Sequence, residues 1–597
     1  MTFAILSSFF SQIENTSSRL AITQLLAQLF EQLSVDEITE AIYLLQGRVS
    51  PLYERVDFGV AEKMIIKSAV KALNLDPVFF KKTFQEKGDI GVAIQELKDE
   101  VQLLEMKDIS IMEVYNELLL IARSSGPGSQ EEKISRLAAL IRDLDQLSAK
   151  YVVRIPLGAM RLGFSDMTIL DALSWMMRGD KSLRPEIEHA YHVRPDLGFI
   201  ARGIKKDGIS GIHTVGPELF TPIIMMRAER MSSGKEIIDK IGECAVEPKY
   251  DGFRLQVHYQ KKNGKPLVKL YSRGLDDVTF MYPDIVEGII KEVVADTIIL
   301  EGEAIGYDIN ARSFLPFQET VQRKRKYGID KKAKEIPLKL FAFELLYANS
   351  NHYLNEPYLQ RRHALEQFIT IKRDQEIDTI LLSPEHIVQS PKELELLFDD
   401  SVTKGLEGIM AKKLTGIYQP GARGSNWIKF KRSYSAKIED TIDCLVMGYD
   451  FGKGKRAEFG IGAFLVGVYD ESEDRYLTLA KIGTGLTDEE WRELKKRADS
   501  AKTENMPALY DVDKMMAVDV WVKPQIVVEI KADEITRSPV HTAGRILKPS
   551  KSGSAFEVET PGYALRFPRL ERFREDKRAE EVTTLNEIRD LMKSTTS

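Results

Sequence analysis

Apolar residues recur every three or four positions from the start of the chain to about residue 215, the spacing that lines one face of a helix. The run Leu20–Leu33 (LAITQLLAQLFEQL) has this period, and Ile38, Ile42 and Leu45 continue it. Gly126-Pro127-Gly128-Ser129 interrupts the pattern and ends one helical stretch. Ser129 then suits the N-cap of a helix predicted over Gln130–Leu147, because its hydroxyl accepts from amides that the first turn leaves unpaired. Leu157–Met177 joins a glycine-punctuated loop to an amphipathic helix. Such glycines let backbone amides approach a phosphate, and they equally allow a tight turn between helices.

From about residue 216 the period becomes two. Phe253–Tyr259 alternates apolar and polar side chains, as a strand with one buried face does. Asn263-Gly264 predicts a hairpin turn, with Leu267–Tyr271 as the returning strand. Thr297–Leu300, Leu338–Phe343 and Trp427–Lys431 read as further strands, with helices at Leu359–Ile369 and Glu393–Lys404. The last segment offers strands at Asp443–Tyr449, Ala463–Tyr469, Tyr476–Ile482 and Gln525–Ile530, one helix at Asp488–Arg497, and a charged tail, Arg578–Ser597. The expectation is a multidomain chain: all-α over 1–215, α+β over 216–432, and a small β-barrel over 433–597.

Composition narrows the class. A chain of 597 residues is too long for one core, and 43% hydrophobic with 29% charged residues suits a soluble protein. No stretch approaches the roughly 18 apolar residues of a membrane helix. Met1–Phe10 is apolar but lacks the basic start of a signal peptide. Cys244 and Cys444 allow one disulfide at most and exclude a four-cysteine zinc site. An intracellular setting follows: cytoplasm or nucleoid, or the nucleus in a eukaryote. The net charge of −6 is not that of a small basic DNA binder, so any phosphate contact has to come from local charge. Residues 321–334 carry seven basic side chains (Arg323, Lys324, Arg325, Lys326, Lys331, Lys332, Lys334) against Asp330 alone. Arg566–Arg578 carries six against three acids. Each run suits a phosphate-facing surface and equally a solvated loop.

The candidate chemistry centres on Lys249, in Glu247-Pro248-Lys249-Tyr250-Asp251-Gly252-Phe253-Arg254. A lysine amine that has lost its proton can attack the α-phosphorus of ATP and hold AMP as a phosphoramidate. An ordinary lysine titrates near about 10.4, so nearby positive charge, a metal ion or desolvation must help it. Asp251-Gly252 is a turn signal that puts Lys249 at a loop mouth, and Arg254 on the following strand can reach a phosphate or ribose.

At this string the sequence resembles the nucleotidyltransferase superfamily of DNA ligases, RNA ligases and capping enzymes, whose other motifs follow in order. Tyr271-Ser272-Arg273-Gly274 resembles the second, whose arginine contacts the nucleotide, and Leu300-Glu301-Gly302-Glu303 the third, where Glu303 binds ribose or helps hold metal. Leu340–Glu344 resembles the next, implying that Phe343 stacks on adenine; the family usually has Asp where Glu344 stands. Glu407–Lys412 resembles the E-G-x-x-x-K box, with Glu407 near the metal. Arg423–Lys431 places Arg423, Lys429 and Lys431 toward the triphosphate. Arg574-Glu575-Asp576-Lys577 resembles the R-x-D-K motif of the mobile C-terminal barrel, and so implies an OB-fold in which Arg574, Asp576 and Lys577 orient the departing phosphates. Glu247 is expected beside adenine through its backbone.

The resemblance covers the whole chain, N-terminal helices included. It implies a helical DNA-binding domain, an adenylation domain and an OB-fold domain, as in ATP-dependent DNA ligases of the archaeal and eukaryotic replicative type. It implies sealing of nicks in duplex DNA through a lysine–AMP and then an adenylated-DNA intermediate, in replication, repair and recombination. The cofactors implied are ATP and Mg²⁺, or Mn²⁺ in its place, with Glu303 and Glu407 as metal contacts. Gly126–Ser129 and Leu157–Gly163 fall where the DNA-binding domain has glycine loops. RNA ligases and capping enzymes share the lysine box but are disfavoured by the helical domain ahead of it. An NAD-dependent ligase is disfavoured by the missing cysteines. A silent nick-binding clamp is disfavoured by the intact motif residues. A monomer without membrane contact is expected. Leu6-Ser7-Ser8-Phe9-Phe10 resembles the end of a sliding-clamp-binding peptide, and fits equally the core of a first helix.

Overall fold

The computed structural model describes residues 1–100, 106–262, 264–308, 313–315, 317–325, 327–369, 378–404, 406–431, 441–452, 459–483, 486–549 and 556–594. They form two compact units, Met1–Lys429 and Phe430–Ser597.

The first unit begins with helices from α1 (Phe3–Glu14) to one that ends at Asp207. They share one apolar core, in which Leu6, Phe10, Leu26, Phe30, Ile42 and Leu45 are buried. Leu6, Phe9 and Phe10 are buried in this core, as the first-helix reading of that segment expects. The single helix expected over Gln130–Leu147 is two helices, α2 (Ser129–Asp143) and α3 (Gln146–Arg154). Asp145 divides them, because its side chain accepts from Ser148 N at 2.9 Å and caps the second. Ser129 is the first helical residue of α2; the cap position belongs to Gly128, at φ 86°. Leu157–Met177 divides as expected, its loop leading into α4 (Asp166–Arg178).

The central region is built on two sheets. One runs β1-β9-β8-β2-β7, from β1 (Arg227–Arg230), β2 (Cys244–Lys249), β7 (His386–Val388), β8 (Gly408–Lys413) and β9 (Arg423–Lys431). The other orders β4 (Lys265–Ser272), β3 (Phe253–Lys262), β5 (Thr297–Asp308) and β6 (Leu338–Ala348) side by side. β3 and β4 pair from Leu255↔Ser272 to Lys262↔Lys265, a two-residue hairpin. Gly264 takes φ 75° there, and Asn263 lies outside the described residues.

β3 departs from its expected half-burial. Leu255, Val257 and Tyr259 enter one core, yet Gln256 and His258 are fully buried on the other face. The segment 220–226 covers them, and their polar atoms are paired: Gln256 exchanges hydrogen bonds with the Ile223 backbone at 2.7 and 3.0 Å, and His258 Nδ1 accepts from Phe220 N at 2.9 Å. The basic run 321–334 is not all solvated either. Arg323 is buried and paired with Asp284 at 2.8 Å, while Lys326 lies outside the described residues.

The second unit is strand-rich. Its central strand β10 (Ile442–Asp450) pairs with β11 (Ala463–Asp470) and with β13 (Val527–Lys531). β12 (Arg475–Ile482) extends the sheet beyond β11, and β14 (Arg569–Phe573) pairs with β13. The expected helix, α5, runs Asp488–Ser500, and the charged tail is not loose: α6 (Leu585–Ser594) buries Leu585 and Ile588 in the core. Its charges blur an apolar stripe whose spacing only packing reveals. Cys244 and Cys444 are both free and buried, and burial pushes both thiols up, Cys244 to about 11, so neither is poised as a nucleophile.

Candidate functional site

Lys249 ends β2. The antiparallel register sets Gly408 opposite it, and Glu407 N donates to Lys249 O at 3.1 Å. That pairing brings the Glu407 carboxylate to Lys249, with Oε2 2.5 Å from Nζ. The chain then turns within three residues into β3. Gly252 is required in this turn, since a Cβ there would stand 2.3 Å from Ala304 O of β5. Tyr250 anchors the same turn by stacking on Phe341, 4.2 Å between centroids.

β3 and β5 carry the next groups, with Arg254 opposite Glu303. Arg254 Nη2 donates to the fully buried Glu301 at 2.6 Å and Nη1 to Met226 O at 2.7 Å. Glu301 also accepts from Gln256 and from Tyr418 OH, so it fixes Arg254 rather than facing solvent. Two residues on, Glu303 is half-buried. Burial, joined by the charges of Glu407 and Asp251, pushes its carboxyl up to about 7 against the pull of Lys249 and Arg254. Arg273 is exposed in a tight turn after β4, shaped by the Ser272 hydroxyl accepting from Gly274 N and Asp276 N.

Beneath these lies a buried polar layer. Glu247 holds Lys412 at 2.7 Å and accepts from Tyr358 OH at 2.7 Å, and Lys412 also donates to Phe343 O. The Glu247 carboxylate is thus committed inside the protein, which leaves its backbone for any contact with a base. Phe343 keeps part of its ring exposed, between Trp427, Arg254 and Lys412, whereas Phe341 is core. Glu344 is bound bidentately by Arg361 at 2.8 and 2.9 Å, both fully buried, so its extra methylene relative to Asp serves this pair. On β9, Lys429 and Lys431 alternate with buried Phe430, and Arg423 is exposed opposite Arg227 of β1.

Glu303 and Glu407 are hard oxygen donors. Magnesium needs only one or two protein carboxylates when substrate phosphates complete its shell, and the pair fits that demand. Among the described residues, no group of three or more His, Cys, Asp or Glu side chains forms a metal cage.

In the second unit, Arg574 Nη1 donates to Asp443 at 2.8 and 3.0 Å and Nη2 to Asp576 at 2.8 Å, while Lys577 reaches Asp443 at 2.7 Å. The Arg574 guanidinium holds Asp576 well below the usual carboxylate range. A cavity of about 300 Å³ adjoins them, lined by Arg497, Ser500, Gln525, Glu575 and both cations.

Sequence reasoning brought Lys249, Arg254, Glu303 and Glu407 to one place, and the structure sets them together. It missed Glu301, Tyr358, Arg361, Tyr418 and Asp443, which position other residues. Their partners are distant in the chain, as with Arg361 and Glu344, so no local string marks them.

Fold and lysine pocket together define a nucleotidyltransferase. A family described as "ATP dependent DNA ligase domain" matches residues 225–431, "DNA ligase N terminus" matches 2–174, and "ATP dependent DNA ligase C terminal region" matches 457–577. The chain belongs to the ATP-dependent DNA ligases, enzymes that seal nicks in DNA. A "Probable DNA ligase" of Dictyoglomus turgidum is 44% identical over 595 residues, covering 99% of this chain and 98% of that protein. "DNA ligase 2" of Thermofilum pendens is 38% identical, covering 100% and 98%. Among solved structures, the chain called "Pmar-Lig_PreS3" shares the fold at a TM-score of 0.54 and 18% identity, covering 95% of this chain and 99% of that one. Among the described residues no helix is long and apolar enough to cross a membrane.

Proposed function

We propose that Lys249 is the residue this ligase adenylates, on the observation that its amine, at the end of β2, lies against the Glu407 carboxylate, 2.5 Å away. The Lys249 nitrogen attacks the α-phosphorus of ATP; an N–P bond forms, and the P–O bond to pyrophosphate breaks. Glu407 Oε2 is an acceptor in contact for the proton the amine gives up. AMP then passes to the 5′-phosphate at a nick in duplex DNA, and the 3′-hydroxyl attacks that phosphate and expels AMP. These transfers depend on positioning and on charge neutralisation.

Each residue has a role in that sequence. Phe343 offers its exposed ring to adenine, and the Glu247 backbone lies beside it. Arg254, Arg273 and Arg423 face ribose and phosphate, and Lys429 and Lys431 the outer phosphates. Arg574, Asp576 and Lys577 of the C-terminal domain serve pyrophosphate departure, which requires Arg574 and Lys577 to exchange Asp443 for phosphate. Glu303 and Glu407 hold Mg²⁺, or Mn²⁺ in its place, which when bound supplies charge neutralisation at the phosphates. The helices of residues 1–215 grip the duplex.

Incubation with α-labelled ATP and Mg²⁺ tests the assignment. The wild type should take up covalent label and Lys249→Ala none; label retained by Lys249→Ala overturns it.

A further inference from the structure

Several arginines of the central region are neutralised by carboxylates: Arg254 by Glu301, Arg361 by Glu344, Arg323 by Asp284. Arg227, Arg273 and Arg423 form no ion pair with a described carboxylate, and all three are exposed. They share one place. Arg254 Nη1 donates to the carbonyl of Met226, the residue before Arg227, and the β1–β9 register sets Arg227 opposite Arg423. The β3–β4 register sets Ser272 opposite Leu255, which brings Arg273 beside Arg254, and the Arg273 pKa is lowered by partial burial and then by the charges of Arg254, Arg227 and Arg423.

Arg227 is also fixed in direction. Its Nε and Nη2 donate to Gly421 O at 3.0 and 2.6 Å, and its backbone N donates to Ala422 O at 2.9 Å. The loop receiving them is stiff: Gly421 takes φ 69°, and the His192 ring packs 2.6 Å from where a Cβ would stand. Nη1 remains uncommitted. A guanidinium held rigid without a carboxylate, among others of its kind, is arranged for an anion that binds several N–H donors at once.

We propose that Arg227 is a phosphate-binding residue that completes, with Arg273 and Arg423, a three-guanidinium cradle for a phosphate group. This rests on the adenylation site assigned above. Two sources carry that chemistry, the nucleotide and the 5′-phosphate at the nick.

The experiment measures full-length R227Q and R227K in two arms: KM for α-labelled ATP in formation of the lysine adduct, and KM for a 5′-phosphorylated nicked duplex in sealing. R227Q is expected to raise one KM at least tenfold, with R227K in between and the covalent label still forming. A rise in the ATP arm assigns the nucleotide. A rise confined to the nick arm, with a salt slope reduced by about one, assigns the DNA phosphate. Both KM values within twofold of wild type, with or without a lower Tm, overturn the proposal and leave Arg227 as a brace for the 419–422 loop. If R227Q does not fold, R227K decides: a threefold rise in either KM supports the cradle, and none overturns it. Failure of the adenylation reading is distinct, because the wild type would then take up no label.

Discussion

At Gly252 a single missing methyl group controls the position of Lys249. A Cβ there would stand 2.3 Å from a backbone oxygen of β5, and backbone cannot swing aside as a side chain can. Gly252→Ala should therefore displace the turn that carries Lys249, lowering adduct formation at least tenfold and costing about 1–3 kcal/mol of stability. Thermal unfolding and the labelling assay read the two effects, and unchanged labelling would show that the turn tolerates the shift. The lysine string marked this glycine as a turn residue, but the close approach of β5 is what makes it irreplaceable. Glu247 shows the converse. Its place in the string suggested a role at the nucleotide, and the fold gives its carboxylate to Lys412 and Tyr358, where it braces β2 against β8.

Among the elements, β3 and α6 were the hardest to read. Alternation along Phe253–Tyr259 is the pattern of a half-exposed strand, and Gln256 and His258 break that reading because the segment 220–226, some thirty positions earlier, pairs their polar atoms. His258 is consequently held neutral: burial lowers its pKa from 6.5 to about 3. The unfolded chain binds a proton there that the folded chain refuses, so this contribution to stability is present above about 6.5 and is lost as pH falls toward about 3. Between these limits the loss should approach about 1.4 kcal/mol per pH unit. Tm measured from pH 4 to 7 should fall less steeply in His258→Gln than in the wild type; equal slopes would clear His258 of any part in acid unfolding. In α6, Ile588 is fully buried. Ile588→Ala should cost about 2–5 kcal/mol, read from the unfolding of the C-terminal unit, whereas a loose tail would show no change.

For the molecule as a whole, net charge misleads. A chain of charge −6 acts on a polyanion, so its cations must be concentrated where phosphate lies. Part of the basic content serves structure instead, as Arg323 and Arg361 do in buried pairs. The remaining exposed cations predict binding by counterion release. Affinity for nicked duplex should fall on the order of a hundredfold or more between 50 and 200 mM salt, measured by anisotropy; a flat dependence would contradict phosphate-led binding.

Sequence alone determined the class of elements in each third of the chain, because period and turn chemistry are local properties that burial follows. It also singled out Lys249, Arg254, Glu303 and Glu407, which the fold sets side by side, because such chemistry admits few residue types at fixed spacing. Tertiary structure decided which charges are free to meet a phosphate. Arg323 and Arg361 are committed to carboxylates 39 and 17 positions away, while Arg227 has none among the described residues. Pairing of that kind depends on which strands become neighbours, and a one-residue change of register would send the same side chains to the opposite face.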